Sequence, residues 1–555
     1  MSNDKWKIVF ALVILLAAGF RISVAHWLPN DSPDDGRVYA QMARNVLEQH
    51  VYSHDTEPPY GPSLIRLPGY PLFLAAIYSV FGHDNNGAVR VIQALIDTAT
   101  CVLIALLAFF WQPDEKKKLT SAAVALALAV VCPFTTIYAA TILTEVPTNF
   151  LLMAMLVAVT LAFRKSLTTE DTEENKKRRF KTALLWWFIT GLIGGLAVMM
   201  RPDSGLFLAA VGVTLVATGL WSSVLDLRRT SKTKDQRPKT KRVVTRSLIS
   251  ATIFSVAFAF VLTPWTIRNW RVFHLFQPLS PAHAEMPGEF VPRGYLLWVR
   301  TWLDDDSYVA PFLWSLDTDE IDVDDLPSSA LDSTEEKNRV AALLDKYNNA
   351  DESEAPTADE GTETNPNPKA TPQPSPESQN NEEEDKGDES EASEEPPSVE
   401  MTPEIDAGFA QLARERIARH PFRYYVWLPL KRARTMWCDT HSQYWPFEGT
   451  LLPLDDLDYE HHQQIWLPLF AGLTAVYTLL GLLGAWSLWR TRKFETRQWL
   501  LLVILAIGLR LMLFSFLENP EPRYLVEFFP LLAVLGGIFT GGLRFRRGVS
   551  ANNEN

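Results

Sequence analysis

The chain has 555 residues, 47% of them hydrophobic, a formal net charge of −13 and three cysteines. Its mean hydropathy of −0.02 would suit a soluble protein, but the apolar residues are gathered into blocks separated by charged stretches, which excludes one soluble globule and predicts an all-α integral membrane protein. The acidic excess sits mostly in one segment, so net charge says little about partners, and Cys101, Cys132 and the isolated Cys438 exclude a disulfide framework.

A hydrocarbon core of about 30 Å needs helices of roughly 18 or more apolar residues. About ten runs qualify, over 8–28, 90–111, 119–138, 142–163, 183–200, 204–225, 247–264, 465–489, 498–517 and 524–543. The first is longer than the apolar core of a signal peptide and lacks a small-x-small cleavage pattern, so it reads as a retained helix. Directly after it, in "NDSPDDGRVYAQMARNVL", the apolar residues Val38, Tyr39, Met42, Ala43, Val46 and Leu47 recur at helical spacing and predict an amphipathic helix. Asp34 and Asp35 stand at its start. An aspartate there is a helix cap or a functional carboxylate; the other outside carboxylates around the same mouth favour function.

"RLPGYPLFLAAIYSVFG", from Arg66 to Gly82, is apolar but too short to span, and suits an interfacial or re-entrant helix. Glu145, in "ATILTEVPTNFLL", falls about one turn inside the fourth run, where it either faces the bundle as a functional carboxylate or pairs with a neighbouring arginine. Arginines follow beside prolines at helix ends: Arg201, with Asp203, in "MMRPDSGLF"; Arg268 in "LTPWTIRNWRVF"; and Arg523, with Glu521, in "ENPEPRYLVEFFP". Guanidinium forks grip phosphate oxygens. For any one of them, anchoring to lipid headgroups is as good a reading; for several converging with carboxylates, a phosphate site is better.

Between Trp265 and Ile465 lies a loop of about 200 residues, and its acidic, Pro- and Ser-rich stretch over 331–405 is expected to be disordered. The flanks "YLLWVRTWL" and "LARERIARHPFRYYVWLPLKRARTMW" look ordered, the second as amphipathic helix along a membrane surface. The expected layout is a membrane module over 1–264, a large outer loop over 265–464, further spans over 465–543 and a tail over 544–555. Every alternate loop is basic, so the positive-inside rule places both termini in the cytoplasm, and Asp34, Asp35, Glu145, Arg201, Asp203, Arg268, Glu521 and Arg523 on the other face. No Walker loop, Cys/His metal spacing or Ser-His-Asp set competes, and no nucleic-acid partner is expected.

Asp35-x-x-x-Tyr39-x-x-x-Ala43, "RLPGYPLFLA", "VRVIQAL", "LTEVPTNFLL", "RPDSG", "PWTIRNW" and "EPRYLVEFFPLLAVLGG" occur in that order. The set resembles the GT-C membrane glycosyltransferases, most closely the branch holding dolichyl-phosphate-mannose protein mannosyltransferases and the aminoarabinose transferase of lipid A. The resemblance covers both membrane blocks but not the acidic insert. It implies a GT-C fold in the plasma (inner) membrane, a polyprenyl-phosphate-linked sugar donor, and inverting transfer to an extracytoplasmic protein, lipid or envelope glycan.

The aspartate that such enzymes are proposed to use as a base matches Asp35. Many such enzymes carry a second acid directly after it, whereas here Gly36 follows and the extra acid, Asp34, precedes. On that reading Asp35 is the general base, Glu145 a second catalytic carboxylate, and Arg201, Arg268 and Arg523 hold the donor phosphate. Asp34, Tyr39, Arg66, Asp203 and Glu521 are candidate supporting residues. No cofactor is required, although the carboxylates admit Mg²⁺ or Mn²⁺. The alternatives are a transporter or flippase of a lipid-linked substrate working from the same cavity, and a scaffold presenting the acidic loop.

Overall fold

The computed structural model describes residues 3–28, 35–167, 173–229, 237–349, 399–438, 461–491 and 494–543. Asp34, the tail over 544–555 and most of the acidic insert, 350–398, lie outside these. Every regular element among the described residues is helical. Nine helices there are long and apolar enough to cross a membrane, and a bent pair makes a tenth. The chain is a multi-pass membrane protein.

The helices fall into two compact units. The first comprises Met1–Val291, Asp304–Asp306 and Tyr425–Asn555, and the second Pro292–Leu303 and Ser307–Tyr424. These boundaries differ from a cut at 265 and 464: the helix that begins at Arg237 runs on to Phe273, and residues from 425 return to the first unit before the next span begins.

In the first unit α1 (Asn3–Trp27) is followed by α2 (Asp35–Glu48), which buries Met42 and Ala43 as its apolar stripe requires. Next comes α3 (Gly69–Phe81), the short apolar helix expected from Arg66–Gly82. Its first residue must be glycine. A Cβ on Gly69 would sit 2.4 Å from the carbonyl oxygen of Met199, at the end of the helix Glu173–Met200. The long helices are α4 (Asn86–Trp111), α7 (Glu145–Leu167), α8 (Glu173–Met200), α9 (Gly205–Arg229) and α10 (Arg237–Phe273). Later come α15 (His461–Arg490), α16 (Phe494–Ser515) and α17 (Phe529–Gly542), preceded by the shorter α14 (Leu428–Cys438).

The run over 119–138, expected to be one span, is broken. α5 (Lys118–Val130) stops before Cys132, and the helical stretch Pro133–Ala140, which contains α6 (Pro133–Thr136), continues at 56° to it. Pro133 cannot supply the amide that a continuing helix needs. The carbonyls thus released are caught by Arg21 of α1, whose Nη2 and Nη1 donate to Ala129 O (3.0 Å) and Val130 O (3.3 Å) while Nε donates to Asp97 of α4 at 2.6 Å. Close packing fixes α17 as well: a Cβ on Gly541 would meet the Ser121 backbone of α5 at 2.6 Å.

The second unit contains α11 (Arg293–Val299), α12 (Thr334–Asn348) and α13 (Pro403–Arg419) around Tyr295, Trp298, Trp302, Phe409 and Leu412. The expectation of disorder over 331–405 is corrected at both ends. Ser333 accepts from Glu336 N and caps α12, which buries Val340, Leu344 and Tyr347, and Thr402 caps α13 by accepting from Ile405 N. Acidic composition averaged over the loop hid this amphipathic stripe. Arg416 is buried, pairs with Glu336, and donates to Ala330 O at 2.7 Å and Thr301 Oγ1 at 2.9 Å, which joins α12 to α13. Leu344→Ala is expected to destabilise this unit by about 2–5 kcal/mol, read as faster amide hydrogen exchange in α12 and α13; unchanged exchange would place Leu344 outside the core.

Candidate functional site

The chain direction alternates along the first unit, so the ends of α1, α8, α10 and α16 and the starts of α4, α7, α9 and α17 fall at one end of the bundle. The polar residues singled out from the sequence gather there, in two layers.

The outer layer centres on Asp35, the first residue of α2. Arg66 Nη2 donates to its Oδ1 at 2.9 Å, and Arg523 Nη1 to its Oδ2 at 3.4 Å. These residues come from three separate segments: α2, the stretch before α3, and the 3-10 turn Pro522–Phe528 that leads into α17. The Asp35 side chain keeps 23% exposure and Arg66 29%, so the carboxylate can be reached from outside. Burial pushes the Asp35 carboxyl up, but Arg523 and Arg66 more than offset this and hold it below the ordinary aspartate range. Arg523 pairs through Nε with Glu521 at 2.5 Å, and Glu521 Oε1 accepts from Asn519 at 2.6 Å. Tyr39 lies one turn along α2 with its ring edge-on to Tyr70 (5.1 Å), and burial pushes its hydroxyl far above the usual range. It is a neutral wall beside the carboxylate.

The inner layer is a buried ring of charges. Arg201, just past the end of α8, reaches Glu145 at 2.6 Å, Asp203 at 3.3 Å and Glu527 at 3.4 Å. Arg510, inside α16, reaches Asp203 at 2.6 Å and Glu527 at 2.9 Å. Glu145 is the first residue of α7, where a carboxylate also meets the free amides of the helix start. The structure therefore places Glu145, Arg201 and Asp203 together, against one another and beneath the exposed carboxylate. Arg510 and Glu527 were not singled out from the sequence. Their signal was present: an arginine in "AIGLRLMLF" and a glutamate in "YLVEFFP" are ionisable groups inside apolar runs.

Arg268 does not join either layer. Its guanidinium lies over Trp265 (5.0 Å), Phe273 (5.1 Å) and Tyr52 (5.6 Å), and Nη1 donates to Ser63 O at 2.7 Å. Tyr52 in turn donates to Arg66 O at 3.1 Å. Arg268 thus braces the segment that carries Arg66. Asp34 lies outside the described residues.

Among the described residues no three His, Cys, Asp or Glu side chains gather as a metal-holding group. Glu145, the carboxylate considered for a divalent cation, is engaged through Oε1 by Arg201 at 2.6 Å. Cys101, Cys132 and Cys438 form no disulfide. Behind the Pro522–Phe528 turn a narrow crevice with room for about one water molecule lies between α14, α15 and α17, lined by Met436, Trp437, Thr474, Leu525, Phe528 and Leu532. No family model, curated protein or solved structure matches the chain.

Proposed function

We propose that the chain is an inverting glycosyltransferase of GT-C type that moves a sugar from a polyprenyl-phosphate donor to an acceptor hydroxyl at the extracytoplasmic face of the plasma membrane. The observation that carries this reading is the reachable Asp35 carboxylate set between the guanidiniums of Arg66 and Arg523 at one end of a bundle of apolar helices. A lipid-linked sugar phosphate keeps its chain in the bilayer and its headgroup at the rim, which is where the guanidiniums of Arg66 and Arg523 meet Asp35. The basic alternate loops support an orientation with this rim outside and both termini in the cytoplasm.

In this mechanism the donor phosphate is drawn to Arg66 and Arg523, whose N–H groups then stabilise the negative charge that builds on the leaving phosphate. Their shift toward phosphate loosens their hold on Asp35, and a carboxylate relieved of its cations is a better base. Asp35 accepts the proton of the acceptor hydroxyl. That oxygen bonds to the anomeric carbon opposite the phosphate, the carbon–oxygen bond to phosphate breaks, and polyprenyl phosphate departs with the anomeric configuration inverted.

Arg523→Ala tests the phosphate role. It is expected to raise the donor KM roughly tenfold or more, as loss of one charge-assisted bond costs about 1.5–3 kcal/mol, with the acceptor KM little changed. An unchanged donor KM would leave Arg523 as an anchor for α17.

A further inference from the structure

The inner ring does not balance. Among the described residues its buried members are three carboxylates, Glu145, Asp203 and Glu527, and two guanidiniums, Arg201 and Arg510. Among the described residues the outer layer above it, Asp35 and Glu521 with Arg66 and Arg523, has equal numbers of each sign. Of the elements packed against the turn that carries Glu527, α7 contributes Glu145 and α16 contributes Arg510. α14 contributes Arg432, whose Nη1 donates to Ser515 O at 3.4 Å, together with Lys431 and Arg434; Lys431 pairs with Asp304 at 2.7 Å and Arg434 is exposed. α6 and α17 contribute no charge. Glu527 is fully buried, and neither of its oxygens accepts an aligned hydrogen bond; Glu145 Oε2 is buried and unpartnered as well. An uncompensated charge so enclosed is costly, and a proton removes it.

We propose that this ring holds one exchangeable proton, carried on Glu527, and that the proton sets the affinity of the site for the anionic half of the donor. With the proton in place the floor beneath Arg523 is neutral, and Arg523 and Arg66 exert their full attraction on phosphate. Loss of the proton puts a negative charge four residues from Arg523, in a buried setting where salt screens little, and weakens anion binding. Glu527 is on this account a specificity-determining residue that never touches the reacting atoms. The inference rests on the donor reading above.

The test uses the purified full-length protein in detergent and a short-chain polyprenyl phosphodiester, whose single charge does not change between pH 6 and 9. Wild-type affinity is expected to fall roughly tenfold from the acid to the alkaline end. Glu527→Gln, neutral and nearly isosteric, should fold and hold the acid-end affinity throughout. Asp203→Asn, which leaves two carboxylates against two guanidiniums, should flatten the profile likewise. Equal pH slopes in all three proteins would overturn the proton assignment alone, as would a Glu527→Gln protein that fails to fold. No binding of the phosphodiester by wild type at any pH would overturn the donor reading and this inference with it.

Discussion

Asp35→Asn is expected to lower glycosyl transfer by about 10²–10⁴-fold, the usual contribution of a positioned general base, while the protein stays folded. The amide has the shape of the carboxylate but cannot take the acceptor proton. The fold tolerates the change because Asp35 is a partly exposed residue at the start of a short helix, and Met42 and Ala43, not Asp35, bury that helix. The two arginines remain, so the lipid-linked donor should still bind. Single-turnover measurements with saturating donor separate the two, and full activity in the variant would remove Asp35 from the role.

The same carboxyl gives a sign for the pH dependence. Its folded pKa lies below the unfolded value of about 4, so the stability it contributes is complete above that value and lost as pH falls through the folded one. Asp35 therefore stays ionised well below neutrality. Activity should show no acid limb from this group down to about pH 5.

Arg201→Ala is expected to destabilise the first unit by about 3–5 kcal/mol, because it leaves Glu145, Asp203 and Glu527 buried with Arg510 as the one remaining guanidinium of the ring. The affected elements are the start of α7, the junction of α8 with α9, and the turn before α17. A lowered melting temperature in detergent, with loss of the turn's protection from exchange, reads this out. An unchanged melting temperature would mean that the ring carries little of the fold. The sequence reading assigned Arg201 to the donor phosphate, whereas its guanidinium is filled by three carboxylates of this chain.

Long apolar runs and the stripe over Val38–Leu47 made the helical membrane architecture and α2 legible, because both depend on local periodicity. Asp35 and Arg523 could be singled out individually, but not their contact, which joins residues 488 positions apart. Arg21, Asp97, Arg510 and Glu527 escaped notice because averaging over an apolar run dilutes one charge, though such a charge is affordable only with a partner. The break at Cys132–Pro133 was concealed by continuous hydropathy across two helices set at 56°. The helix α12 was lost in the acidity of its surroundings, where four apolar positions at helical spacing outweigh composition once a partner such as α13 exists.

The most direct measurement incubates the purified protein with a polyprenyl-phosphate sugar labelled at the anomeric carbon and an envelope extract as the acceptor source, and analyses products by NMR and mass spectrometry. The account predicts a new glycosidic bond of opposite anomeric configuration, one polyprenyl phosphate released per bond formed, and neither product with Asp35→Asn. Retained configuration, or movement of the labelled lipid across sealed vesicles with no new bond, would contradict it.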